Sequence, residues 1–356
     1  MALKIIHCAD FHIGAPLSRL TPDKASIRRS EILMGFSSVV SKCKETADAL
    51  IISGDLFDSP YPYENDVKFV KQELSSLGDI PVFIVCGNHD YMCPDSVFSV
   101  EENFPENVHI FSPEGESIYI ESLNAVFHGV SYSRKTAPLI KNEFTPQSGK
   151  FNVLCLHGDL TAGSDYCTYT EEKIKAFDYD YTAFGHIHDS HSFNCGKTLC
   201  AYSGTPEGHS FADDSNIGYN FVEIDSSVSL RHISDAKRKY IHLDFDITDF
   251  SSNADASSAL SEKLSSENLY KIRLVGSPAF SVALSYIQDE VDKSVFYAEI
   301  FDDCDAGYNL DEILESNGFK GILLQEIKER CDNEKDFNLA AKIALNALSG
   351  IKPEMR

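Results

Sequence analysis

Five short polar clusters within the first 190 residues carry the side chains that a pair of divalent metal ions requires. In chain order they are Asp10 with His12, Gly54-Asp55, Gly87-Asn88-His89-Asp90, His157-Gly158, and Gly185-His186-Ile187-His188. Carboxylate, amide oxygen and neutral imidazole together suit manganese, iron or zinc better than calcium. Two such ions roughly 3.5–4 Å apart can clamp both oxygens of an in-line phosphoryl displacement and supply a hydroxide near neutral pH. The set predicts a two-metal phosphoesterase site.

The spacing within the clusters indicates how the ligands divide. Asp55 directly follows a strand-like run and a glycine, so it is the natural carboxylate to bridge both ions. Asp10 and His12 point the same way, because alternate residues of an extended chain share a face. His186 and His188 repeat that spacing, so each of the two histidines can serve a different ion.

The third cluster also contains a candidate catalytic acid. Asn88 offers an uncharged oxygen, and His89 beside it is suited to protonate the leaving oxygen, since histidine titrates near neutral pH. Asp58, three residues beyond Asp55, is placed to hold the His89 ring by a hydrogen bond. We therefore predict His89 and Asp58 as catalytic residues.

Each cluster follows an apolar run, rich in β-branched residues, of the kind that forms a buried strand. These runs cover residues 3–6, 50–52, 82–85, 153–156 and 181–184. Ligands bind at the carboxyl ends of strands in α/β sheets. We therefore expect the five polar clusters to converge on one crevice.

Three segments are predicted along the chain. Residues 1–235 alternate strand-like runs with amphipathic helices at 27–47 and 65–77, which suit crossovers between parallel strands. Residues 236–302 have the pattern of a compact α+β unit with three strands and two helices. Residues 303–356 show only helical patterns and are predicted to form a helical tail whose apolar stripes bind a partner.

The net charge of −24 restricts how this chain can hold a polyanion. A protein that grips nucleic acid by itself usually carries a basic face. Any binding of DNA must therefore use a local basic patch or positive charge that a partner supplies. The one modest basic cluster in the loops beside the predicted site consists of Lys135, Lys141, Lys150, Lys173 and Lys175. Such a cluster is more often a solvated surface than a DNA track.

The cysteines and the apolar content predict the compartment. Ten cysteines form no Cys-x-x-Cys pair, and several lie in or beside apolar runs, as free thiols in a reducing compartment do. No apolar stretch approaches the roughly 20 residues needed to cross a bilayer. The first fourteen residues run directly into a strand and the first cluster, which leaves no room for a signal peptide. We expect a cytoplasmic location without membrane contact.

The ordered motifs Asp-x-His, Gly-Asp-x-x-Asp, Gly-Asn-His-Asp, His-Gly and Gly-His-x-His resemble the calcineurin-like metallophosphoesterase superfamily. More narrowly, residues 7–14 (HCADFHIG), 54–58 (GDLFD) and 202–207 (YSGTPE) resemble its DNA-repair exonuclease branch, the SbcD/YhaO-like proteins. The motif match covers roughly residues 1–210. The resemblance implies an α/β fold, in which a four-layer metallophosphoesterase β-sandwich flanked by helices precedes a small α+β capping domain and a helical C-terminal tail.

The same resemblance implies roles for individual residues. One metal would be held by Asp10, His12, Asp55 and His188. The other would be held by Asp55, Asn88, His157 and His186, with His89 as the catalytic acid. Members of this branch work best with manganese, so we expect two Mn²⁺ ions, with Fe²⁺ or Zn²⁺ as alternatives. They cut DNA ends or hairpins, dimerise through the phosphoesterase domain, and bind a coiled-coil ATPase of the SbcC type through helices after the capping domain.

The motifs also depart from related families. Asp58 stands where some repair nucleases carry histidine and where other phosphoesterases use aspartate to orient the catalytic histidine. Ser59 and Asp90 differ from the arginine and glutamate of protein serine/threonine phosphatases, which argues against a phosphoprotein substrate.

Two other functions stay open, namely a small-molecule or cyclic-nucleotide phosphodiesterase and a non-catalytic scaffold on the same fold. The intact ligand set together with His89 counts against the scaffold. Tyr202 and His209 are candidate substrate contacts, although Tyr202 is equally suited to be a core aromatic residue and His209 to be a structural histidine.

Overall fold

The computed structural model describes residues 2–137, 144–304 and 310–348. Contacts divide the chain into two compact units, Met1–Lys239 and Tyr240–Arg356. The predicted boundaries of a separate capping domain and tail inside the second unit stay predictions.

The first unit is built from strands and a few helices. Its strands are β1 (Leu3–Cys8), β2 (Ala49–Ser53), β3 (Val82–Val85), β4 (Val108–Ile110), β5 (Glu116–Ile120), β6 (Ala125–Gly129), β7 (Phe151–His157), β8 (Tyr181–Gly185), β9 (His191–Cys195), β10 (Thr198–Tyr202), β11 (Tyr219–Ile224) and β12 (Val228–Ile233). Its helices are α1 (Pro22–Thr46), α2 (Glu64–Ser75) and α3 (Glu171–Lys175), with short 3-10 helices at Val97–Ser99, Glu101–Asn103 and Glu121–Leu123. The five strands predicted ahead of the polar clusters are confirmed as β1, β2, β3, β7 and β8.

These strands form two six-stranded mixed sheets. The first sheet has the order β12-β11-β1-β2-β3-β4, in which β1 to β4 are parallel and β11 and β12 are antiparallel to their neighbours. The second sheet has the order β5-β6-β7-β8-β10-β9, with parallel inner strands and antiparallel edge strands. The five strands that precede the polar clusters are therefore divided between the sheets, three in the first and two in the second.

Alternate side chains of the central strands enter two different cores. Ile5 and Ile51 point into the core between the sheets, whereas Ile6 and Ile52 pack with α1 and α2 on the other face of the first sheet. The two sheets meet directly where the rings of Phe83 and Phe127 stack with centroids 3.8 Å apart. A third core, which includes Ile174 of α3, covers the outer face of the second sheet. Burial on both faces explains why the strand sequences are continuously apolar.

The second unit begins with alternating strands and helices. The strands β13 (Tyr240–Asp246), β14 (Leu269–Val275) and β15 (Tyr297–Asp302) form a parallel sheet, and α4 (Asn253–Lys263) and α5 (Leu284–Val291) connect them in sequence. Since parallel strands need crossover helices, this arrangement is α/β rather than the predicted α+β.

The described residues that follow are helical, as predicted. Helices α6 (Leu310–Glu315), α7 (Phe319–Arg330) and α8 (Glu334–Leu348) share a small core of their own. In the part of the chain that the structure describes, no helix is both long and apolar enough to cross a membrane.

Candidate metal centre

The predicted metal ligands lie at or just beyond the ends of β1, β2, β3, β7 and β8. Backbone hydrogen bonds join the loop after β1 to the loop after β2. The amide of Asp10 donates to the carbonyl of Gly54 (3.0 Å), and the amide of His12 donates to the carbonyl of Asp55 (2.9 Å). A Cβ on Gly54 would lie 2.2 Å from Nδ1 of His157, and a Cβ on Gly87 would lie 2.2 Å from a carboxylate oxygen of Asp55. Only glycine permits these close approaches.

Four of the predicted ligands have a backbone conformation that is rare for their residue type. The φ angles are +57° for Asp10, +44° for His12, +49° for Asp55 and +93° for His186. A non-glycine residue at positive φ costs of order 1–3 kcal/mol and persists only where its surroundings enforce it. Here the strained turns point carboxylates and imidazoles into a common crevice.

The first cluster of ligand atoms comprises Asp10, His12 and His188, all within 4.8 Å of one another. The Nε2 atoms of His12 and His188 are 3.2 Å apart. Nε2 of His12 lies 3.8 Å from Oδ2 of Asp55. The four residues predicted for one metal are therefore brought together.

The second cluster is centred on Asn88, whose Oδ1 lies 2.9 Å from Nε2 of His157 and 3.1 Å from Nδ1 of His186. Nε2 of His157 is also 3.4 Å from Oδ2 of Asp55. The same Asp55 oxygen thus contacts one imidazole from each cluster. This position between the two clusters is the one predicted for a bridging carboxylate.

The donor set fits divalent cations. Asp10 and Asp55 are both buried, and a ligand oxygen of each lies within 4.8 Å of the other and of a His157 nitrogen. Burial raises the pKa of Asp10, an effect that the charge of Asp55 adds to and the nearby imidazoles oppose. Buried charges of like sign are costly unless positive charge or a metal compensates them. Cations at this position would provide that compensation.

Second hydrogen bonds orient three of the ligand imidazoles. Nδ1 of His12 lies 3.1 Å from Oδ1 of Asp58, and Nδ1 of His157 lies 2.9 Å from the carbonyl oxygen of Ser53. Nδ1 of His188 lies 2.8 Å from Oδ1 of Asp213. In each ring the opposite nitrogen, Nε2, faces the ligand cluster. Such partners fix the tautomer and orientation of a metal-binding histidine.

The predicted acid His89 lies at the edge of these clusters. Its side chain is 44% exposed, and its Nδ1 lies 3.3 Å from Oδ1 of Asp58. The hydrogen bond to Asp58 raises the pKa of His89 above its ordinary value, although burial opposes this. Asp58 therefore contacts both His89, as predicted, and the metal-ligand candidate His12. The second contact was not foreseen from the sequence.

Asp90 holds two of the loops in place. Its Oδ1 accepts the amide of Gly87 (2.7 Å) and its Oδ2 accepts the amide of Phe57 (3.1 Å). Burial and the charge of Asp55 raise the pKa of Asp90 to about 7, while these two hydrogen bonds oppose the shift. Asp90 thus ties the loop of Asn88 and His89 to the loop that carries Asp55.

The two candidate substrate contacts lie deeper than expected. Tyr202 is 2% exposed, its hydroxyl donates to the carbonyl of Gly158 (3.2 Å), and its ring stacks on Phe184 with centroids 5.0 Å apart. This position is that of a core aromatic residue and does not support a substrate contact. The side chain of His209 is 11% exposed, and its Nε2 donates to the carbonyl of Phe11 (2.8 Å). It packs behind His12 and is placed as a structural histidine.

The lysines of the predicted basic cluster differ in their surroundings among the described residues. Lys150 lies over the ring of Tyr119, with Nζ 3.2 Å from the centroid, and Lys175 pairs with Glu171. Lys135 is exposed and Lys173 is half-buried. Lys141 lies outside the residues that the structure describes.

Asp213 was missed by the sequence analysis. It is buried in the loop between β10 and β11, 25 residues after its partner His188. No spacing rule links two such positions, because the loop must fold back before the two side chains meet. The only available signal was its place shortly after the Ser-Gly-Thr-Pro-Glu motif.

Comparisons with known proteins point to one family. A model of the calcineurin-like phosphoesterases matches residues 3–190. The uncharacterized metallophosphoesterase YhaO of Bacillus subtilis is 28% identical over 239 residues, which are 62% of this chain and 57% of YhaO. The SbcD component of the SbcCD nuclease from the same organism is 26% identical over 259 residues, 59% of this chain and 63% of that component. The chain spans less than two thirds of the length of either relative.

Matches to solved structures are looser. A conserved uncharacterized protein from Streptococcus pneumoniae shares 15% identity with a TM-score of 0.33, over 65% of this chain and 90% of that one. The Plasmodium inner membrane complex anchor GAP50 shares 13% identity with a TM-score of 0.38, over 65% of this chain and 84% of that one.

Proposed function

This chain belongs to the calcineurin-like phosphoesterase family, and from that membership we propose that it is a manganese-dependent two-metal phosphodiesterase that cleaves DNA. One observation carries the catalytic part of this proposal. A half-exposed histidine, His89, is paired with Asp58 at the edge of two clusters of metal-ligand atoms that share Asp55. Two ions held in these clusters would clamp the attacking and leaving oxygens of an in-line phosphoryl displacement, and a histidine beside them is suited to protonate the leaving oxygen.

We propose the following division of ligands. Asp10, His12, Asp55 and His188 hold one ion, and Asp55, Asn88, His157 and His186 hold the other. The short distances from Asp55 to both clusters support this division. When bound, two divalent ions supply Lewis-acid charge at the phosphoryl oxygens and lower the pKa of an attacking water. Mn²⁺ is the proposed metal, with Fe²⁺ or Zn²⁺ as alternatives that the donor types also suit.

His89 is the proposed proton donor to the departing oxygen. Asp58 pairs with Nδ1 of His89, which leaves Nε2 as the nitrogen that carries the transferable proton. Because Asp58 raises the pKa of His89, more of the imidazole is protonated near neutral pH than in a free histidine. General acid catalysis of this kind contributes roughly 10²–10⁴-fold to a rate.

DNA is the proposed substrate because the chain is similar to the SbcD component of a nuclease. The net charge of −24 makes an unaided grip on a polyanion unfavourable, which favours a complex in which a partner supplies part of the DNA contact. We propose a role in DNA repair with a coiled-coil ATPase of the SbcC type, in the cytoplasm. Phe319, Ile322 and Leu339 are large apolar side chains exposed on α7 and α8, and they support these helices as its docking surface.

A homodimer is proposed on similar grounds. Tyr61 and Tyr63, which precede α2, are 62% and 74% exposed. Exposed tyrosines of this size are enriched in protein interfaces. They support the segment 60–70 as the face through which two copies pair.

The acidic charge also favours a second candidate, a small-molecule or cyclic-nucleotide phosphodiesterase, since a small diester needs no extended basic surface. The scaffold alternative is disfavoured, because a non-catalytic protein has no need of the His89–Asp58 pair.

Turnover on three substrates separates these functions. Purified protein with Mn²⁺ is offered linear double-stranded DNA, a bis-aryl phosphodiester and an aryl phosphomonoester. We expect cleavage of DNA that is lost in His89→Ala. Cleavage of the small diester alone would favour the second candidate or a missing DNA-gripping partner, and inactivity on all three substrates with metal bound would favour the scaffold.

Deletion of the residues after 303 tests the partner proposal. The shortened protein is expected to keep its metal and its first unit, and to lose co-purification with the coiled-coil ATPase. Association that survives the deletion would refute the proposed docking surface.

A further inference from the structure

Asp213 is a buried carboxylate to which the proposed reaction gives no role. Its side chain is 5% exposed. Oδ1 accepts a hydrogen bond from Nδ1 of His188 (2.8 Å). Oδ2 accepts the backbone amides of His209 (2.8 Å) and Ser210 (3.0 Å). Both oxygens are therefore engaged, one by an imidazole and the other by the loop that carries Asp213.

We propose that Asp213 is a positioning residue that orients His188 and makes the ion position shared with His12 the tighter of the two. This inference rests on the proposed two-metal function. The hydrogen bond to Asp213 requires a proton on Nδ1 of His188, so the lone pair of Nε2 is directed at the ligand cluster. There it lies 3.2 Å from Nε2 of His12. An imidazole that donates to a carboxylate is also a stronger electron donor to a metal.

The second ion position lacks an equivalent support in the contacts that the structure shows for His157. Nδ1 of His157 donates to the backbone carbonyl of Ser53, which is uncharged. A neutral acceptor fixes the ring orientation but increases its basicity less than a carboxylate does. His12 in the first position also has a carboxylate partner, Asp58, but Asp58 divides its Oδ1 between His12 and His89. Oδ1 of Asp213, by contrast, is described in one hydrogen bond, which it accepts from the imidazole of His188.

The packing around His188 favours one ring position. The ring of His209 lies 5.9 Å from that of His188 and 5.2 Å from that of His12, measured between centroids. Nε2 of His209 is held by the carbonyl of Phe11, and its backbone amide is held by Asp213. A rotation of His188 would have to break the bond to Asp213 beside this fixed ring. The Nε2 atom of His188 is thus oriented toward the ligand cluster before a metal binds.

A purely structural role for Asp213 makes a different prediction. If Asp213 only shaped the loop through the amides of His209 and Ser210, its removal would weaken the site whether or not residue 188 were a histidine. If it acts through His188, its removal has no further effect once His188 has been replaced. A double-mutant cycle separates the two roles.

The experiment is a Mn²⁺ titration of the full metal-free chain by isothermal calorimetry, with bound ions counted by elemental analysis. The variants are Asp213→Asn, His188→Gln and the double variant, and the matched control is Asp214→Asn, which changes the same charge at an exposed neighbour. Thermal unfolding verifies that each variant folds. If Asp213→Asn does not fold, Asp213→Ser replaces it with the same expectation.

We expect the wild type to bind two ions and Asp213→Asn to bind one of them roughly 10–100-fold more weakly, the usual effect of removing a carboxylate partner of a metal-binding histidine. Asp214→Asn is expected to match the wild type. In the His188→Gln background, Asp213→Asn should change neither affinity further. Unchanged affinities in Asp213→Asn, or an equal loss in the His188→Gln background, would overturn the positioning role. A wild type that binds fewer than two ions would instead overturn the two-metal function itself.

Discussion

The two units of this chain differ in how much strained backbone and how many buried polar residues they contain. In the first unit, Asp10, His12, Asp55 and His186 adopt positive φ, whereas in the described part of the second unit only Gly276 does so. The first unit also buries Asp10, His12, Asp55 and His157 of the candidate metal centre, while Ser257 is the only buried polar residue among those described in the second.

This contrast shows how a functional edge can be recognised. In a regular β–α–β–α–β unit, the backbone polar groups hydrogen-bond to one another and the apolar side chains are buried. Such a unit can therefore avoid both backbone strain and the burial of polar side chains. The first unit contains both strained backbone and buried polar side chains at one edge of its sandwich, where five loops meet. Strain that persists in this way is kept by surrounding contacts and concentrates at functional sites. The following predictions test what the residues at this strained edge contribute to the proposed function and to the stability of the first unit.

The largest expected effect is that of Asp55→Asn. Asparagine tolerates positive φ nearly as well as aspartate, so the backbone at +49° should be retained while the negative charge between the two ligand clusters is lost. We expect turnover to fall by on the order of 10³-fold or more, since metal catalysis contributes several kcal/mol. Bound metal is measured beside turnover. Asp95→Asn, the same substitution at another positive φ on the surface, is the control, and a similar loss there would show that the effect is not specific to the Asp55 carboxylate.

His89→Gln is expected to reduce turnover by about 10²–10⁴-fold while leaving both ions bound. Glutamine can still accept and donate hydrogen bonds beside Asp58 but cannot transfer a proton in this pH range. Steady-state kinetics and elemental analysis on the same sample measure the two quantities. Retained turnover would remove His89 from the reaction, and loss of metal would make it a ligand.

Asp58→Asn should have a smaller effect than the two preceding substitutions. It should change both metal affinity and the pKa of His89, because Asp58 contacts both His12 and His89. Metal affinity is expected to fall by roughly 10–100-fold. The pKa of His89 should also fall toward its ordinary value once the carboxylate is gone. An acid must be protonated to act, so turnover declines as pH rises through its pKa. The alkaline limb of the pH profile, measured at saturating Mn²⁺, should therefore move to lower pH.

The same experiment has a clear contrary outcome. An alkaline limb at the same pH in Asp58→Asn and in the wild type would show that it does not report His89. Loss of metal without any change in the limb would leave Asp58 as a support for His12 alone.

The smallest expected effect concerns stability in acid. Burial lowers the pKa of His7 to about 3, although a backbone hydrogen bond opposes the shift. The unfolded chain takes up this proton near pH 6.5 and the folded chain does not, so the free energy of unfolding of the first unit should fall as pH drops from 6.5 toward 3. The slope from one such group is at most about 1.4 kcal/mol per pH unit.

Thermal unfolding between about pH 7 and pH 5, the range in which an ordinary histidine titrates, measures this difference. His242, on β13 of the second unit, is exposed. If the unfolding temperature of the first unit falls with pH by more than that of the second unit, the result agrees with the predicted difference between the units. His7→Gln should reduce the difference. Equal shifts of both transitions would contradict it.

Much of this protein was predictable from residues close together in the sequence. Apolar β-branched runs form strands wherever both faces are buried, so the strands before the polar clusters were found within a few residues of their observed ends. The ligand candidates were found because only a few side-chain types bind divalent ions and because they follow those strands in a recognisable order. These are local properties of the chain.

What the sequence alone left undetermined depends on contacts between distant segments. The division of the five strands between two sheets follows from pairing, such as that of β1 with β11, which joins residues as far apart in the chain as Leu3 and Ile224. The burial of Tyr202 follows from the packing of a whole sheet face, and the parallel pairing in the second unit follows from crossover connections. No local pattern encodes them.

The site shows the same division between sequence and tertiary structure. Its candidate chemistry was determined by residue type: Asp10, His12 and Asp55 could be recognised as ligand candidates only because carboxylates and imidazoles bind metals. Its geometry was decided by tertiary structure, because positive φ angles and the hydrogen bond from His188 to Asp213 exist only where surrounding segments enforce them. A sequence specifies which groups are available, and the packing of the two sheets decides which of them meet.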